Sequence, residues 1–375
     1  MTTASLSSLD EFMTQNSRVY NFSAGPATLP EDVIRQAQQD LWSIFGTGIG
    51  ILEHSHRGKA FDRVLEECEA DCRAVGNISD DYGVFFVQGG ATTQFALIPM
   101  NYLPDGRTAD YTDTGLWTNK AIKDGKVVGD INVAFDGSTC DYDHTPSDDE
   151  INCSDNAAFL HYCTNNTIYG TTFPAPPKTS APLIADMSSD IYSGPLNLKP
   201  HAMIYAGAQK NLGPSGVVLC IAHREFLKSR CRELPSMLCY DKIEAKESRL
   251  NTPPTFAIYM MGQVFKWILR EGGTEVMAQR NAEKAKLIYD VMEELSDFYH
   301  IHAQPHCRSM MNIHFKTPSA DLDDAFIAGA AAEGMDGLRG HRNTGGMRAS
   351  IYNAFPRAGC EALAQYMRAF ATSHG

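Results

Sequence analysis

Apolar positions recur along this chain in two rhythms, and the rhythm changes along its length. After Thr28-Leu29-Pro30-Glu31, the residues Val33, Ile34, Ala37 and Leu41 return at helical spacing and predict an amphipathic helix. Thr28 is placed to cap it, Pro30 suits its first turn, and Glu31 and Asp32 favour its positive end. A second helix is expected from about Lys59 to Arg73, with Phe61, Val64, Leu65 and Cys68 on one face. Short continuous apolar runs then follow: Val84–Val87, Ala157–Cys163, Leu183–Ala185, Met203–Ala206 and Val217–Ile221. Such runs are usually buried on both faces, and in alternation with helices they predict a largely parallel sheet. Beyond about Val264 helical patterns dominate, notably Thr274 to Leu295, and the chain ends in a helix near Glu361 to Phe370.

This pattern predicts an α/β fold in two domains, a large one over 18–264 and a smaller α/β one over 265–375. A chain of 375 residues is long enough for two cores. The polar stretch Met1–Ser17 lacks the basic start and apolar core of a signal peptide. It is expected to be an extension, either packed on the second domain or disordered. No apolar run approaches the roughly 18 residues of a membrane span, so a cytoplasmic protein with no membrane partner is expected.

The 32 basic and 45 acidic residues give a formal charge of -13. An acidic surface repels a phosphate backbone, which disfavours nucleic acid as a partner but leaves room for a local cationic pocket. The ten cysteines include no CxxC pair, and Cys68 and Cys72 alone make a poor metal site. No metal is expected. Gly46-Thr47-Gly48-Ile49-Gly50 follows a helical stretch and its sixth position is Ile51, so it does not read as a dinucleotide loop.

Lys210 follows the strand Met203–Ala206 and precedes Asn211-Leu212-Gly213. A strand end in an α/β sheet is where ligands usually bind, although alone this lysine reads more readily as one in a surface turn. Asp186 follows another buried strand about two dozen residues earlier. Parallel neighbours would bring both to one sheet edge, where a lysine could form a Schiff base and an aspartate could keep a pyridine nitrogen protonated. Gln88-Gly89-Gly90-Ala91-Thr92 also follows a strand, and small residues opening a helix suit a phosphate. Two basic stretches, Ser55-His56-Arg57-Gly58-Lys59 and Gly340-His341-Arg342 through Arg348-Ala349-Ser350, suit carboxylates and phosphates.

Together these stretches resemble the phosphoserine aminotransferase family of the class-V, fold-type-I pyridoxal-phosphate enzymes. The resemblance runs from Asn21-Phe22-Ser23-Ala24-Gly25-Pro26 to Arg348-Ala349-Ser350-Ile351-Tyr352-Asn353, nearly the whole chain. It implies that Lys210 carries pyridoxal phosphate and moves the Cα proton, and that Asp186 pairs with the ring nitrogen. It implies Trp117 stacked on the ring, Thr167 near its hydroxyl, and Ala91, Thr92 and Gln209 on the cofactor phosphate. Asn251 and Thr252 would reach that phosphate from a second subunit, which implies a homodimer. Arg348 would clamp the substrate α-carboxylate, and His56, Arg57, His341 and Arg342 would read the distal anion. The implied small-molecule substrates are L-glutamate, 3-phosphohydroxypyruvate and O-phosphoserine. A phosphorylated four-carbon analogue on the pyridoxine route stays open. Some members carry arginine where this chain has Thr92, which would leave the substrate phosphate more dependent on the two His-Arg pairs. The competing readings are another class-V enzyme, such as an alanine-glyoxylate aminotransferase or a cysteine desulfurase, and a non-catalytic homologue.

Overall fold

The computed structural model describes residues 18–375; the N-terminal extension expected over 1–17 lies outside them. The described chain enters through a short strand β1 (Tyr20–Asn21), then α1 (Glu31–Trp42) and α2 (Lys59–Gly76). Next come β2 (Tyr82–Gln88), α3 (Ala91–Tyr102), β3 (Thr108–Asp113), α4 (Leu116–Val128) and β4 (Asp130–Asp136). Four strands follow, β5 (Ala157–Cys163), β6 (Leu183–Asp186), β7 (His201–Gly207) and β8 (Val217–His223). The C-terminal part holds α5 (Thr255–Arg270), α6 (Gly273–Glu294), β9 (His300–Ile301), β10 (Asn312–Lys316), α7 (Ala320–Ala332), β11 (Met335–Asp336), β12 (Met347–Ser350) and α8 (Arg357–His374).

The first helix differs from expectation at both ends. Thr28 does not cap it; its hydroxyl donates to the Asn21 carbonyl at 3.0 Å, and Pro30 occupies the cap position without a side-chain bond. At the far end Leu41 is exposed, and the buried face closes on Asp40 instead. That carboxylate is tolerated in the core because it accepts from Gln36 and from the Tyr259 hydroxyl.

The central sheet has seven strands in the order β2-β8-β7-β6-β5-β3-β4. β8 runs antiparallel to β2 and β7, and the other pairs are parallel. β5 is buried at every position, as an apolar run covered on both faces should be. The strands β3 and β4 escaped the apolar-run criterion because polar residues interrupt them. Asp110 in β3 is fully buried, yet its carboxylate accepts from Ser154 N–H at 2.8 Å, Ser154 Oγ at 2.7 Å and Asn132 Nδ2 at 3.0 Å. One apolar cluster, including Phe61, Cys68, Phe265 and Met261, packs α1, α2 and α5 on one face of the sheet. Another, including Phe95, Ile98, Ala121 and Ile122, packs α3 and α4 on the other face, so the architecture is three-layered. A third cluster joins α6, α7 and α8 to the three-stranded sheet β12-β10-β9. Among the described residues no helix is long and apolar enough to cross a membrane.

Candidate active site

Parallel pairing puts the C-terminal ends of β5, β6 and β7 side by side. Cys163 stands opposite Asp186, and Asp186 opposite Tyr205. The two antiparallel steps through β8 bring the end of β2 to the same edge, with Gln88 opposite Val217 and Gly207 opposite Val218. A cavity of about 140 Å³ opens there, lined by Lys210, Asp186, Gln209, Trp117, Ala91 and Thr92 among others. Residues far apart in sequence thus meet at one sheet edge, where α/β proteins place their ligands.

Lys210 lies in the turn after β7, which is held by Ala208 N–H to the Val217 carbonyl and Gly213 N–H to the Ala208 carbonyl. Its ammonium makes no hydrogen bond or ion pair with any described residue. Loss of water lowers its pKa, Arg348 adds to that, and Asp186, Cys163 and Asp190 push the other way.

Asp186 is 5 % exposed. Its Oδ1 accepts from Ser188 N–H at 2.9 Å and from the Ser188 hydroxyl, while Oδ2 has no partner in the described chain. Ser188 Oγ in turn accepts from Gly207 N–H at 3.0 Å, which locks Asp186 to the end of β7. The sequence alone gives no sign of this role for Ser188; only the fold shows it as the clamp.

At the end of β2, Gly89 adopts φ +103, a left-handed conformation that suits glycine, and Gly90 caps α3. A side chain built on Gly90 would meet nothing within 4 Å, so the first N–H groups of α3 face open space. This is the arrangement that favours an anion. Gly216, whose carbonyl accepts from Gly89 N–H at 3.0 Å, likewise has φ +106 and open space around it.

Trp117 forms a wall of the cavity. Its Nε1–H donates to Thr167 Oγ1 at 3.0 Å, and Arg348 Nη1 donates to the Thr167 carbonyl at 3.1 Å. Thr167 is therefore one bond behind the wall. Arg348 projects from β12, burial lowers its guanidinium, and its Nε–H is buried without a partner. Such an unmet donor is costly unless something binds it. His341 lies close enough to Arg348, Arg342 and Lys120 that, after burial, all three charges disfavour its protonation.

The structure does not bring every expected residue to the cavity. Asn251 donates to Gln88 Oε1 at 2.8 Å and borders a neighbouring depression, while Thr252 is exposed. His56 and Arg57 precede α2, away from the cavity lining, and His56 Nε2 is buried without a partner. Beside them is an apolar ridge with Trp42 86 %, Leu52 60 % and Ile49 44 % exposed.

The aminotransferase class-V family matches residues 19–363. A phosphoserine aminotransferase of Desulfotalea psychrophila is 46 % identical over 357 residues, covering 95 % of this chain and 99 % of that protein. One from Niallia circulans is 47 % identical over 359 residues, covering 96 % and 99 %. The solved phosphoserine aminotransferase of Bacillus circulans subsp. alkalophilus superposes with a TM-score of 0.93 at 46 % identity, over 96 % of this chain and 99 % of that one. The pyridoxal-phosphate-bound phosphoserine aminotransferase of Trichomonas vaginalis gives 0.89 at 33 % identity, over 94 % and 100 %. The chain belongs to the class-V aminotransferase family, in its phosphoserine aminotransferase branch.

Proposed function

We propose that this protein transfers the amino group of L-glutamate to 3-phosphohydroxypyruvate, yielding O-phospho-L-serine and 2-oxoglutarate in serine biosynthesis. The observation that carries this reading is Lys210. It is a half-buried lysine with a lowered pKa and no protein partner, sharing a cavity with a half-satisfied Asp186, in a chain related to phosphoserine aminotransferases along nearly its full length.

The residues fit pyridoxal phosphate. The open cradle at Gly90 and the start of α3 suits its phosphate, together with Ala91, Thr92 and Gln209. The unpaired Oδ2 of Asp186 suits a cationic ring N–H, the Trp117 face suits an aromatic ring, and the Thr167 hydroxyl lies behind that face. When bound, the cofactor supplies an electron sink that makes a substrate Cα–H acidic.

The chain's own residues supply the rest. The lowered pKa of Lys210 keeps a fraction of its amine neutral, so Nζ can take the Cα proton and later return one. Arg348 offers its unmet Nε–H to the α-carboxylate and fixes the Cα–H direction. Arg342 gives the distal end positive charge and His341 offers an imidazole N–H, which suits both the glutamate carboxylate and the phosphate.

We further infer a homodimer whose partner supplies His56, Arg57, Asn251 and Thr252 to each site. The apolar ridge beside His56 supports this, since exposed patches of this kind mark interfaces. We also propose the division into a PLP-binding domain over 18–264 and a small domain over 265–375, with a cytoplasmic location.

The rival readings have less support. A desulfurase needs a reactive thiol, whereas Cys163, which lines the cavity, is buried and its thiol is pushed up. An alanine–glyoxylate aminotransferase of Nostoc sp. shares the fold, but at 14 % identity. The deciding measurement is amino transfer to 2-oxoglutarate from O-phosphoserine, alanine and aspartate under equal conditions. O-Phosphoserine should be strongly preferred; equal rates would refute the phosphate-reading role of the His-Arg residues.

A further inference from the structure

One cation beside the cavity has no role in the reaction described above. Lys120 lies one turn beyond Trp117 on α4, at the i,i+3 spacing that stacks side chains. Its ammonium stands 4.6 Å from the centre of the Trp117 ring, within cation–π range. Trp117 is fixed through Thr167 to Arg348, so Lys120, Trp117, Thr167 and Arg348 form one continuous arc. The charge of Lys120 also reaches His341, which places it on the side of the cavity where the distal anion would lie.

Lys120 is exposed, yet it forms no ion pair and no hydrogen bond with any described residue. Lys178, Lys228, Lys266 and Lys286, by contrast, find carboxylates. Its charge acts together with those of Arg348 and Arg342 on His341, whose protonation all three disfavour. Holding like charges together without a counter-charge costs free energy, which a bound anion would recover.

We propose that Lys120 is a specificity-determining residue that favours the phosphorylated substrate over glutamate at the distal-anion end of the cavity. This rests on the phosphoserine transamination reading. A phosphate monoester carries about -1.5 to -2 charges at pH 7, against -1 for a carboxylate. A cation at a fixed distance therefore favours the phosphate by up to about twice the energy. Lysine suits this task, because its flexible stem presents a compact charge with three donors. The indole face holds that charge next to the cavity wall.

The test uses the holoenzyme and its Lys120→Met and Lys120→Arg variants. Inorganic phosphate is titrated into each by calorimetry. Its Kd should weaken about fivefold in Lys120→Met and return towards the original in Lys120→Arg. Single-turnover amino transfer is then followed with O-phosphoserine and with glutamate separately. In Lys120→Met, kcat/KM should fall about tenfold for O-phosphoserine and less than about threefold for glutamate. An unchanged phosphate Kd overturns the proposal. So do equal losses on both donors, which would mean that Lys120 acts only by supporting Trp117. If the unaltered enzyme does not use O-phosphoserine at all, the transaminase reading falls, and the phosphate titration still decides the role of Lys120.

Discussion

In both Lys210, which is half-buried, and Lys284, which is buried, partial or full loss of water lowers the ammonium pKa, to about 8 for Lys284. They differ in where their donors go. Lys284, on α6, is 3 % exposed and gives its three N–H groups to the carbonyls of Ile351 at 3.0 Å, Tyr352 at 2.7 Å and Phe355 at 3.2 Å. Those carbonyls lie just beyond β12 and just before α8, where no strand or helix ladder takes them. Lys210 gives its N–H groups to nothing in the described chain. A perturbed pKa alone does not separate a reagent from a staple. Unspent hydrogen-bonding capacity does.

The largest expected effect comes from deleting the unspent amine. Lys210→Ala should lower turnover by about a thousandfold or more, the scale of a lost acid–base group. Its thermal unfolding midpoint without cofactor should stay close to that of the unaltered protein, because Lys210 holds no protein group in place. Retention of full activity would remove the mechanism. A large drop in the midpoint would mean that Lys210 is a staple after all.

Lys284→Met should do the reverse. It keeps volume but leaves the buried carbonyls of Ile351 and Phe355 unmet, while that of Tyr352 keeps the Phe355 N–H, at a cost of about 2–3 kcal/mol in stability. Activity per folded molecule should change little, except through Arg348, which lies three residues before Ile351. Denaturant unfolding beside an active-site titration separates the two. A stable but inactive variant would contradict the assignment of Lys284 as structural.

The next effect is smaller and concerns Asp186. Ser188→Ala removes the hydroxyl that joins Asp186 Oδ1 to Gly207 N–H. The carboxylate keeps its bond from Ser188 N–H, so it should be loosened rather than lost. A fall of about tenfold in kcat, with cofactor still bound, is expected. No change in kcat would show that the backbone bond alone fixes Asp186.

These two lysines also show what the sequence could reveal. Lys210 was legible because its neighbours are local: an apolar strand, a glycine-bearing turn, and Asp186 in the next strand of a parallel sheet. Lys284 was not. In Asn281-Ala282-Glu283-Lys284 it has the pattern of a solvated helix face, and its acceptors come from residues about 70 positions later. The same reason hid β3, whose Asp110 is buried only because Ser154 and Asn132 arrive to satisfy it. Apolar runs show where water is excluded without help. Polar groups buried by tertiary partners leave no such trace. The location of Asn251 and Thr252 off the cavity was readable only through the family resemblance, and that of His56 and Arg57 was not readable at all, since spacing carries no information about a second subunit.

The finest distinction between the lysines is in their titration. In the cofactor-free protein, burial and Arg348 lower the Lys210 pKa, while Asp186, Cys163 and Asp190 raise it. Asp190 is itself half-buried and pushed up to about 7, mainly by loss of water, although its bond from the Thr164 hydroxyl opposes this. Above that pH it is ionised and supports the Lys210 cation. Competitive labelling of Lys210 by an amine-reactive acylating agent should therefore show a midpoint below the ordinary 10.5. Asp190→Asn removes one charge that favours the ammonium, so the midpoint should move lower still. Stability gives an independent check with the opposite origin. A carboxyl raised from 3.8 to about 7 is protonated in the folded state and ionised in the unfolded state between those values. It therefore costs stability progressively as pH rises through that window. Asp190→Asn, which cannot ionise, should gain in unfolding midpoint relative to the unaltered protein from about pH 4 to about pH 7 and then level off. A Lys210 midpoint at or above 10.5, or one that rises in Asp190→Asn, would show that hydrogen bonds formed in solution, and not burial, set its titration.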